Sequence, residues 1–245
     1  MEGRMIAEAV RRVDALRRYV ELKVLAGALV VVGCVWAFFG LAGEMLEGET
    51  HAFDSFVLLS LRNSGDLADP VGPLWVEEMA RDFTALGGIA IVTFVTLAVC
   101  GLLWLMKKGR TMLFVAAAVI GGAIVSSSFK ALFDRPRPDL VPHGVEVFSA
   151  SFPSGHSMLS AVTYLTLATV FASTQAERPV KIYVMALAAF VAIAVGMSRV
   201  YLGVHWPTDV AAGWTAGAAW AIGCWTVARY LQHRGGIEPA PREVG

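Results

Sequence analysis

The run VLAGALVVVGCVWAFFGLAG, residues 24–43, decides the fold of this chain. It contains no charged residue and has the length that a helix needs to cross the hydrocarbon core of a bilayer, which is roughly 30 Å thick. The rest of the chain agrees, since 56% of its 245 residues are hydrophobic and only 16% are charged. A soluble domain carries about a quarter charged residues, so the composition excludes a water-soluble protein.

Charge and cysteine content exclude further classes of protein. The chain has 20 Lys and Arg residues against 20 Asp and Glu, so its net charge of zero offers no basic field for nucleic acid. Its three cysteines, Cys34, Cys100 and Cys224, all lie in apolar runs. We therefore expect neither a disulfide framework nor a zinc cluster, and no metal or other cofactor.

Six uncharged apolar runs predict an all-α integral membrane bundle of six transmembrane helices. Residues 1–23 form a predicted amphipathic cytoplasmic helix, residues 24–231 the six-span domain, and residues 232–245 a cytoplasmic tail. The outer loop, residues 44–85, holds two predicted interfacial helices, 53–62 and 74–83. Small residues at helical spacing, such as Gly213 and Gly217, predict close helix packing, either within one chain or in a homo-oligomer. The runs are 24–43, 86–106, 111–129, 157–174, 182–197 and 210–227.

The distribution of cations predicts the orientation of the chain. With a cytoplasmic N-terminus, the inner connections hold fourteen Lys and Arg residues and the outer connections six, as the positive-inside rule requires. Both termini are then cytoplasmic. Four of the six outer cations follow the third and fifth runs, where the rule disfavours them, and they need another explanation: Lys130, Arg135, Arg137 and Arg199.

Three segments at the ends of predicted spans hold these cations together with two histidines: KALFDRPRP (130–138), FPSGH (152–156) and SRVYLGVHWPTD (198–209). The predicted topology brings all three to the outer face. Lys130, Arg137 and Arg199 would repel one another unless an anion lay between them. Phosphate suits this set, since arginine binds paired phosphate oxygens and the amides of Ser154, Gly155 and His156 form a helix N-terminus, with Gly155 allowing close approach.

The remaining polar residues of these segments supply a reaction. His205 and Asp209 are four residues apart, so the carboxylate can orient the imidazole as a nucleophile, and His156 can act as general acid. The sequence favours a local ion pair between Asp134 and Arg135 and an interfacial position for Trp206. Three other histidines have no second ligand at useful spacing and are expected on the solvated surface: His51, His143 and His233.

The three segments resemble the tripartite signature K-x6-R-P, P-S-G-H and S-R-x5-H-x3-D of the type-2 phosphatidic acid phosphatase superfamily. The resemblance implies phosphate ligands at Lys130, Arg137 and Arg199, an anion hole at Ser154 and Gly155, and catalytic roles for His156, His205 and Asp209. Small bacterial six-span members are similar in size and loop plan, and they hydrolyse undecaprenyl diphosphate or phosphatidylglycerol phosphate.

The resemblance implies a lipid phosphatase of the bacterial cytoplasmic membrane with a phosphohistidine intermediate. The lack of metal-ligand spacing on the outer face predicts that it is metal-independent, and the cation distribution predicts a site facing the periplasm or exterior. Its partners would be membrane lipids and a lipid phosphate, whether undecaprenyl diphosphate, phosphatidylglycerol phosphate or phosphatidic acid. Two other functions stay open at this point. One is a vanadate-dependent haloperoxidase, which shares the signature but is soluble, and the other is a catalytically inactive protein that binds or transports lipid.

Overall fold

The computed structural model describes the backbone of residues 2–141 and 149–233, and the side chains of residues 22–141 and 149–229. This part of the chain is mostly helical, which confirms the predicted all-α class. A two-stranded antiparallel hairpin is the one departure within it. The elements are α1 (Glu2–Leu46), α2 (His51–Ser60), β1 (Arg62–Asn63), β2 (Asp66–Pro70), α3 (Leu74–Leu86), α4 (Ile89–Leu105), α5 (Gly109–Phe133), α6 (Gly155–Thr174), α7 (Arg178–Tyr201) and α8 (Pro207–His233).

Several of these helices are long and apolar enough to cross a membrane. Four qualify in the described part of the chain: residues Leu22–Leu46 of α1, and the whole of α5, α6 and α7. Helices α3 and α4 qualify together as one span bent by 50°. The chain is an integral membrane protein, but the predicted count of six spans is not confirmed, since α8, rich in alanine and glycine, does not meet the same requirement.

Helix α1 joins two segments that the sequence separates. Residues 1–23 were expected as an amphipathic helix and 24–43 as the first span, yet Glu2–Leu46 is one continuous helix of 45 residues. No break in the helix marks residues 23 and 24. The first span and the segment before it are therefore one rod.

Helix α6 lies at the centre of the bundle, packed against α5, α7 and α8, while α1 packs along α8. The glycine pair of α8 explains the close approach of α6. A Cβ atom on Gly213 would lie 2.7 Å from the carbonyl oxygen of Ser154, and one on Gly217 would lie 2.7 Å from that of Met158. Since real Cβ atoms do not come so close to a carbonyl, only glycine permits this packing. The predicted small-residue contact therefore forms within the chain.

The 44–85 loop covers one end of the bundle. Its two predicted helices are present as α2 and α3, and both pack on the protein. Leu58 of α2 is fully buried against Val141 and Trp206, and Ala80 of α3 packs against Leu202 and Val204. The loop therefore encloses the connection between α7 and α8.

Candidate active site

The three motif segments meet at one end of the bundle because consecutive helices run in opposite directions. Lys130 lies in the last turn of α5, and Arg199 in the last turn of α7. His156 lies in the first turn of α6 and Asp209 in the first turn of α8. His205 lies in the short connection before α8. The side chains that the sequence places together are thus together in the fold.

His205 and Asp209 form the buried centre of this site. Nδ1 of His205 lies 3.4 Å from Oδ2 of Asp209, and both side chains are almost completely buried, with 1% and 0% exposure. Helix α8 begins at Pro207, so the carboxylate in its first turn reaches back to the imidazole. A proton on Nδ1 facing the carboxylate leaves Nε2 unprotonated, with its lone pair directed away from Asp209.

Burial also sets the protonation state of this histidine. It lowers the pKa of His205 to about 3, although the hydrogen bond to Asp209 and its charge act in the opposite direction. The charges of Arg137 and Arg199 lower the pKa further. The imidazole is therefore neutral near pH 7, which is the form that a nucleophile requires.

Asp209 is held by more groups than the sequence indicates. Its Oδ2 atom accepts hydrogen bonds from the hydroxyl of Ser151 and from the amide of Trp206 at 3.0 Å. Its Oδ1 atom accepts from Nη1 of Arg135 at 2.6 Å. The carboxylate is consequently fixed in position and orientation before any substrate binds.

Arg137 lies on the open side of the imidazole. Its Nη1 atom is 3.2 Å from Nε2 of His205 and donates to the carbonyl oxygen of Val204 at 2.6 Å. Its Nε atom donates to the carbonyl oxygen of Ser149 at 2.9 Å. Burial lowers the pKa of Arg137, and the Asp209 charge opposes this. These bonds place a guanidinium directly beside the nitrogen that would attack phosphorus.

Lys130 and Arg199 complete a cluster of three cations. Nζ of Lys130 donates to the carbonyl oxygen of Ala150 at 2.8 Å and lies within electrostatic range of both arginines. Nη1 of Arg199 donates to Thr84 at 2.9 Å. Arg199 is only 4% exposed, and its buried Nε has no hydrogen-bond partner among the described residues. A buried donor without a partner costs free energy, and an anion bound among the three cations would accept a hydrogen bond from Nε of Arg199.

The start of α6 supplies further donors. Ser154 caps the helix through its hydroxyl, which accepts from the amide and hydroxyl of Ser157. Its own amide donates to the carbonyl oxygen of Asp209 at 2.9 Å. The amides that a phosphate can bind are therefore those of Gly155 and His156, so Ser154 contributes by shaping the helix end.

His156 faces the other charged groups from the first turn of α6. Its imidazole lies within electrostatic range of His205 and of the three cations. The α3–α4 bend at Gly87 and Gly88 passes close to it: a Cβ atom on Gly87 would lie 3.0 Å from the His156 carbonyl oxygen, and one on Gly88 would lie 3.9 Å from Nε2. The bend therefore forms one wall of the site.

Comparison with known proteins agrees with this geometry. The family model described as the PAP2 superfamily matches residues 110–233, which include every motif residue. The chain belongs to the PAP2 superfamily. Phosphatidylglycerophosphatase B of Bacillus subtilis (strain 168) is 32% identical to this PAP2 protein over 149 residues, covering 58% of this chain and 70% of that enzyme.

Two further relatives and one solved structure are similar. The undecaprenyl-diphosphatase of Sulfolobus acidocaldarius is 31% identical, covering 51% of this chain and 59% of its own length. The putative undecaprenyl-diphosphatase YbjG of Escherichia coli (strain K12) is 31% identical, covering 64% and 74%. The crystal structure of a transmembrane PAP2 type phosphatidylglycerolphosphate phosphatase from Bacillus subtilis superposes with a TM-score of 0.68 at 25% identity, covering 82% of this chain and 96% of that one. The protein is a PAP2-type membrane phosphatase acting on lipid phosphates.

The structure corrects the expected ion pair of Arg135. Its guanidinium pairs with Asp209 and with Asp54 of α2, at 2.6 and 2.7 Å, and not with its sequence neighbour Asp134, which ends α5 in a left-handed conformation with φ of 41°. Asp54 is 81 residues from Arg135 in the chain, so local sequence spacing could not predict this pair.

The structure also corrects the prediction for Trp206. Trp206 is 4% exposed, and its indole N–H donates to the carbonyl oxygen of Pro136 at 3.1 Å, so it is buried and not interfacial. His51 is exposed, as the sequence predicts, and its ring packs edge-on against that of Trp206, with ring centroids 5.7 Å apart. His143 and the side chain of His233 lie outside the described residues.

Five residues that support the site were not singled out from the sequence. They hold Asp209, Arg135 or Arg199 through side-chain hydrogen bonds. Only Asp54 could have been singled out from the sequence, because it is the one charged residue in the largely apolar stretch AFDSFVLL. The five are Thr50, Asp54, Thr84, Ser151 and Thr208.

Proposed function

We propose that this PAP2 protein hydrolyses the terminal phosphate of a lipid phosphate or diphosphate through a phosphohistidine on His205. One observation carries the proposal: Nδ1 of His205 faces the fixed carboxylate of Asp209, while Nε2 faces the guanidinium of Arg137. One ring nitrogen is therefore held by an acceptor, and the other lies where a bound phosphate would be.

In the first step, Nε2 of His205 attacks phosphorus and the bond from phosphorus to the lipid oxygen breaks. His156 gives its proton to the departing oxygen. The equatorial phosphate oxygens meet Lys130, Arg137 and Arg199, and stabilisation of the charge on these oxygens is the main catalytic contribution in such transfers. Asp209 stabilises the positive charge that develops on the imidazole.

In the second step, water breaks the bond between phosphorus and Nε2. His156, now neutral, takes one proton from the water as its oxygen attacks phosphorus. Inorganic phosphate leaves, and both histidines return to their starting states. The two imidazoles thus have different tasks that follow from their places, one beside a carboxylate and one at a helix N-terminus.

The proposed reaction needs no metal ion. The described residues contain no group of three or more His, Cys, Asp or Glu side chains that could hold one. The two arginines and the lysine carry the positive charge that a metal ion supplies in other phosphatases. Their guanidinium groups also provide directional hydrogen bonds to phosphate oxygens.

The substrate class follows from the surroundings of the site. Lys130 and Arg199 each end an apolar helix, so a lipid can present its phosphate here while its tail remains in the bilayer. The names of the relatives support two candidates, phosphatidylglycerol phosphate and undecaprenyl diphosphate, and phosphatidic acid is a third. We propose that the site faces the periplasm or exterior, with both termini in the cytoplasm, because that orientation satisfies the cation distribution.

A trapping experiment tests the nucleophile. The purified protein is mixed with a lipid phosphate labelled in its terminal phosphate and quenched in alkali. We expect label on the wild-type protein and none on His205→Ala, which should also lose turnover, whereas Asp209→Asn should retain a low rate because it only misorients the ring. His51→Ala controls for the loss of an imidazole elsewhere. Near-normal turnover by His205→Ala contradicts the proposal.

A further inference from the structure

Asp54 is a completely buried carboxylate in a helix outside all three motif segments. It belongs to α2 of the 44–85 loop and has 0% exposure. Its Oδ1 atom accepts from the amide of Thr208 at 3.0 Å, and its Oδ2 atom accepts from the Thr208 hydroxyl at 2.7 Å. A side chain from the loop thus binds the first turn of α8, one residue before Asp209.

Arg135 joins this carboxylate to that of Asp209. Its Nη2 atom donates to Asp54 at 2.7 Å and its Nη1 atom donates to Asp209 at 2.6 Å. Nη1 also donates to the Thr208 hydroxyl at 2.9 Å. The side chain of Arg135 is only 9% exposed. One planar guanidinium therefore sets the distance and relative orientation of two buried carboxylates.

The order of charges around the nucleophile explains why this link matters. Asp54, Arg135 and Asp209 alternate in sign, and His205 follows Asp209. Because Arg135 binds Oδ1 of Asp209, the other oxygen, Oδ2, remains directed at Nδ1 of His205. A freely rotating carboxylate would lose this orientation. Neither Asp54 nor Arg135 contacts Nε2, the side from which phosphate would approach.

We propose that Asp54 and Arg135 are positioning residues that orient Asp209, and through it His205, so that the 44–85 loop takes part in catalysis by holding the nucleophile. This inference rests on the proposed function of His205. The loop then has a role beyond covering the end of the bundle, since undocking α2 would remove the carboxylate that holds Arg135 against Oδ1 of Asp209.

The first test separates rate from binding. Asp54→Asn keeps the shape and the acceptor oxygen but removes the charge that holds Arg135, and Arg135→Lys keeps the charge but cannot bind both carboxylates. We expect kcat to fall about tenfold to a hundredfold in each, as for other residues that orient a functional histidine. KM should stay within about twofold of wild type, because neither residue is in the phosphate cluster.

The second test asks whether the effect passes through Asp209. In an Asp209→Asn background, which retains a low rate, adding Asp54→Asn should change kcat less than about twofold, since there is no carboxylate left to orient. If Asp54→Asn lowers kcat by the same factor in both backgrounds, the two residues act independently and the positioning role is overturned.

A matched control uses Arg62, a buried arginine that belongs to the 44–85 loop itself. It is 7% exposed and donates to the carbonyl oxygens of Leu61 and Tyr201, at 3.1 and 2.9 Å. We expect Arg62→Lys to lower the melting temperature while changing kcat far less than Arg135→Lys does.

An equal loss of kcat in Arg62→Lys and Arg135→Lys would mean that the loop acts only by packing. If Arg135→Lys does not fold, the kcat of Asp54→Asn, alone and in the Asp209→Asn background, still tests the positioning role. Unchanged kcat in Asp54→Asn overturns the inference. His205→Ala that retains turnover overturns the proposed function instead, so the two failures are distinguishable.

Discussion

A Cβ atom on Gly155 would lie 3.1 Å from Cε of Lys130. This is closer than an ordinary contact between carbon atoms, so the lysine side chain occupies the space that any other residue at position 155 would need. The second motif segment therefore makes room for the cation of the first. A Cβ atom at position 155 would therefore push the end of the Lys130 side chain away by a few tenths of an ångström.

Gly155→Ala should therefore shift the Lys130 side chain, and with it the position of its ammonium in the phosphate cluster. We expect kcat/KM to fall by about tenfold, equivalent to roughly 1.4 kcal/mol of transition-state stabilisation, with the fold intact because alanine suits a helix. Steady-state hydrolysis of a lipid phosphate measures this. Gly101→Ala is the control, since a Cβ atom there meets nothing within 4 Å. Equal rates in both variants would contradict the assignment of Lys130.

Chelation and vanadate test the proposed metal-free mechanism. Activity should persist after dialysis against EDTA, because cationic side chains supply the charge at the site. Orthovanadate should inhibit, since a five-coordinate vanadate on Nε2 of His205 would imitate the transition state among the same cations. Phosphate release with and without each reagent is the measurement. Loss of activity in EDTA that magnesium restores would refute the mechanism.

The lowered pKa of His205 predicts a dependence of stability on pH. Between about pH 6.5, the ordinary value, and about pH 3, the unfolded histidine binds a proton and the folded one does not. The free energy of unfolding should therefore decrease as pH falls through this range. Thermal unfolding in detergent at pH 7 and pH 5 measures it. The decrease should be smaller in His205→Gln, and an equal decrease in both proteins would contradict burial of a neutral imidazole.

Cysteine labelling tests the proposed orientation. In a variant whose native cysteines, Cys34, Cys100 and Cys224, are replaced by alanine, Asp139→Cys lies on the side of the active site and Ala176→Cys lies at the opposite end of the bundle, between α6 and α7. Both positions are exposed. A membrane-impermeant maleimide should label Asp139→Cys in spheroplasts and Ala176→Cys only after lysis. The reverse pattern would place the site in the cytoplasm.

The sequence predicts that the motif residues lie together because their chemistry is unusual for their location. Lys130, Arg199 and His205 are polar groups at the ends of apolar helices, and such groups are functional by default. Helix periodicity also located α2 and α3 to within a few residues. The predicted contact of Gly213 and Gly217 is another local pattern that the packing confirms.

Contacts between distant parts of the chain could not be predicted in this way. Arg135 has an acidic neighbour in sequence, Asp134, and local spacing favours that pair, whereas the fold brings Asp54 to it from a separate helix. Ser151 and Thr84 carry small hydroxyl side chains that no spacing rule singles out. Their roles depend on which loop covers which helix end, and a single sequence does not contain that information.

Two main-chain hydrogen bonds align the three motif segments. The amide of Ser151, the residue before the second segment, donates to the carbonyl oxygen of Arg135 at 2.8 Å, and the amide of Ser154 donates to that of Asp209 at 2.9 Å. Every amino acid except proline can donate such a bond, so substitution of either side chain leaves the donor group in place. Most single substitutions at these positions therefore leave the hydrogen bonds that align the segments intact. In a saturation mutagenesis screen for activity, inactive variants should therefore identify the side chains that take part in the reaction more readily than the main-chain contacts that align the segments.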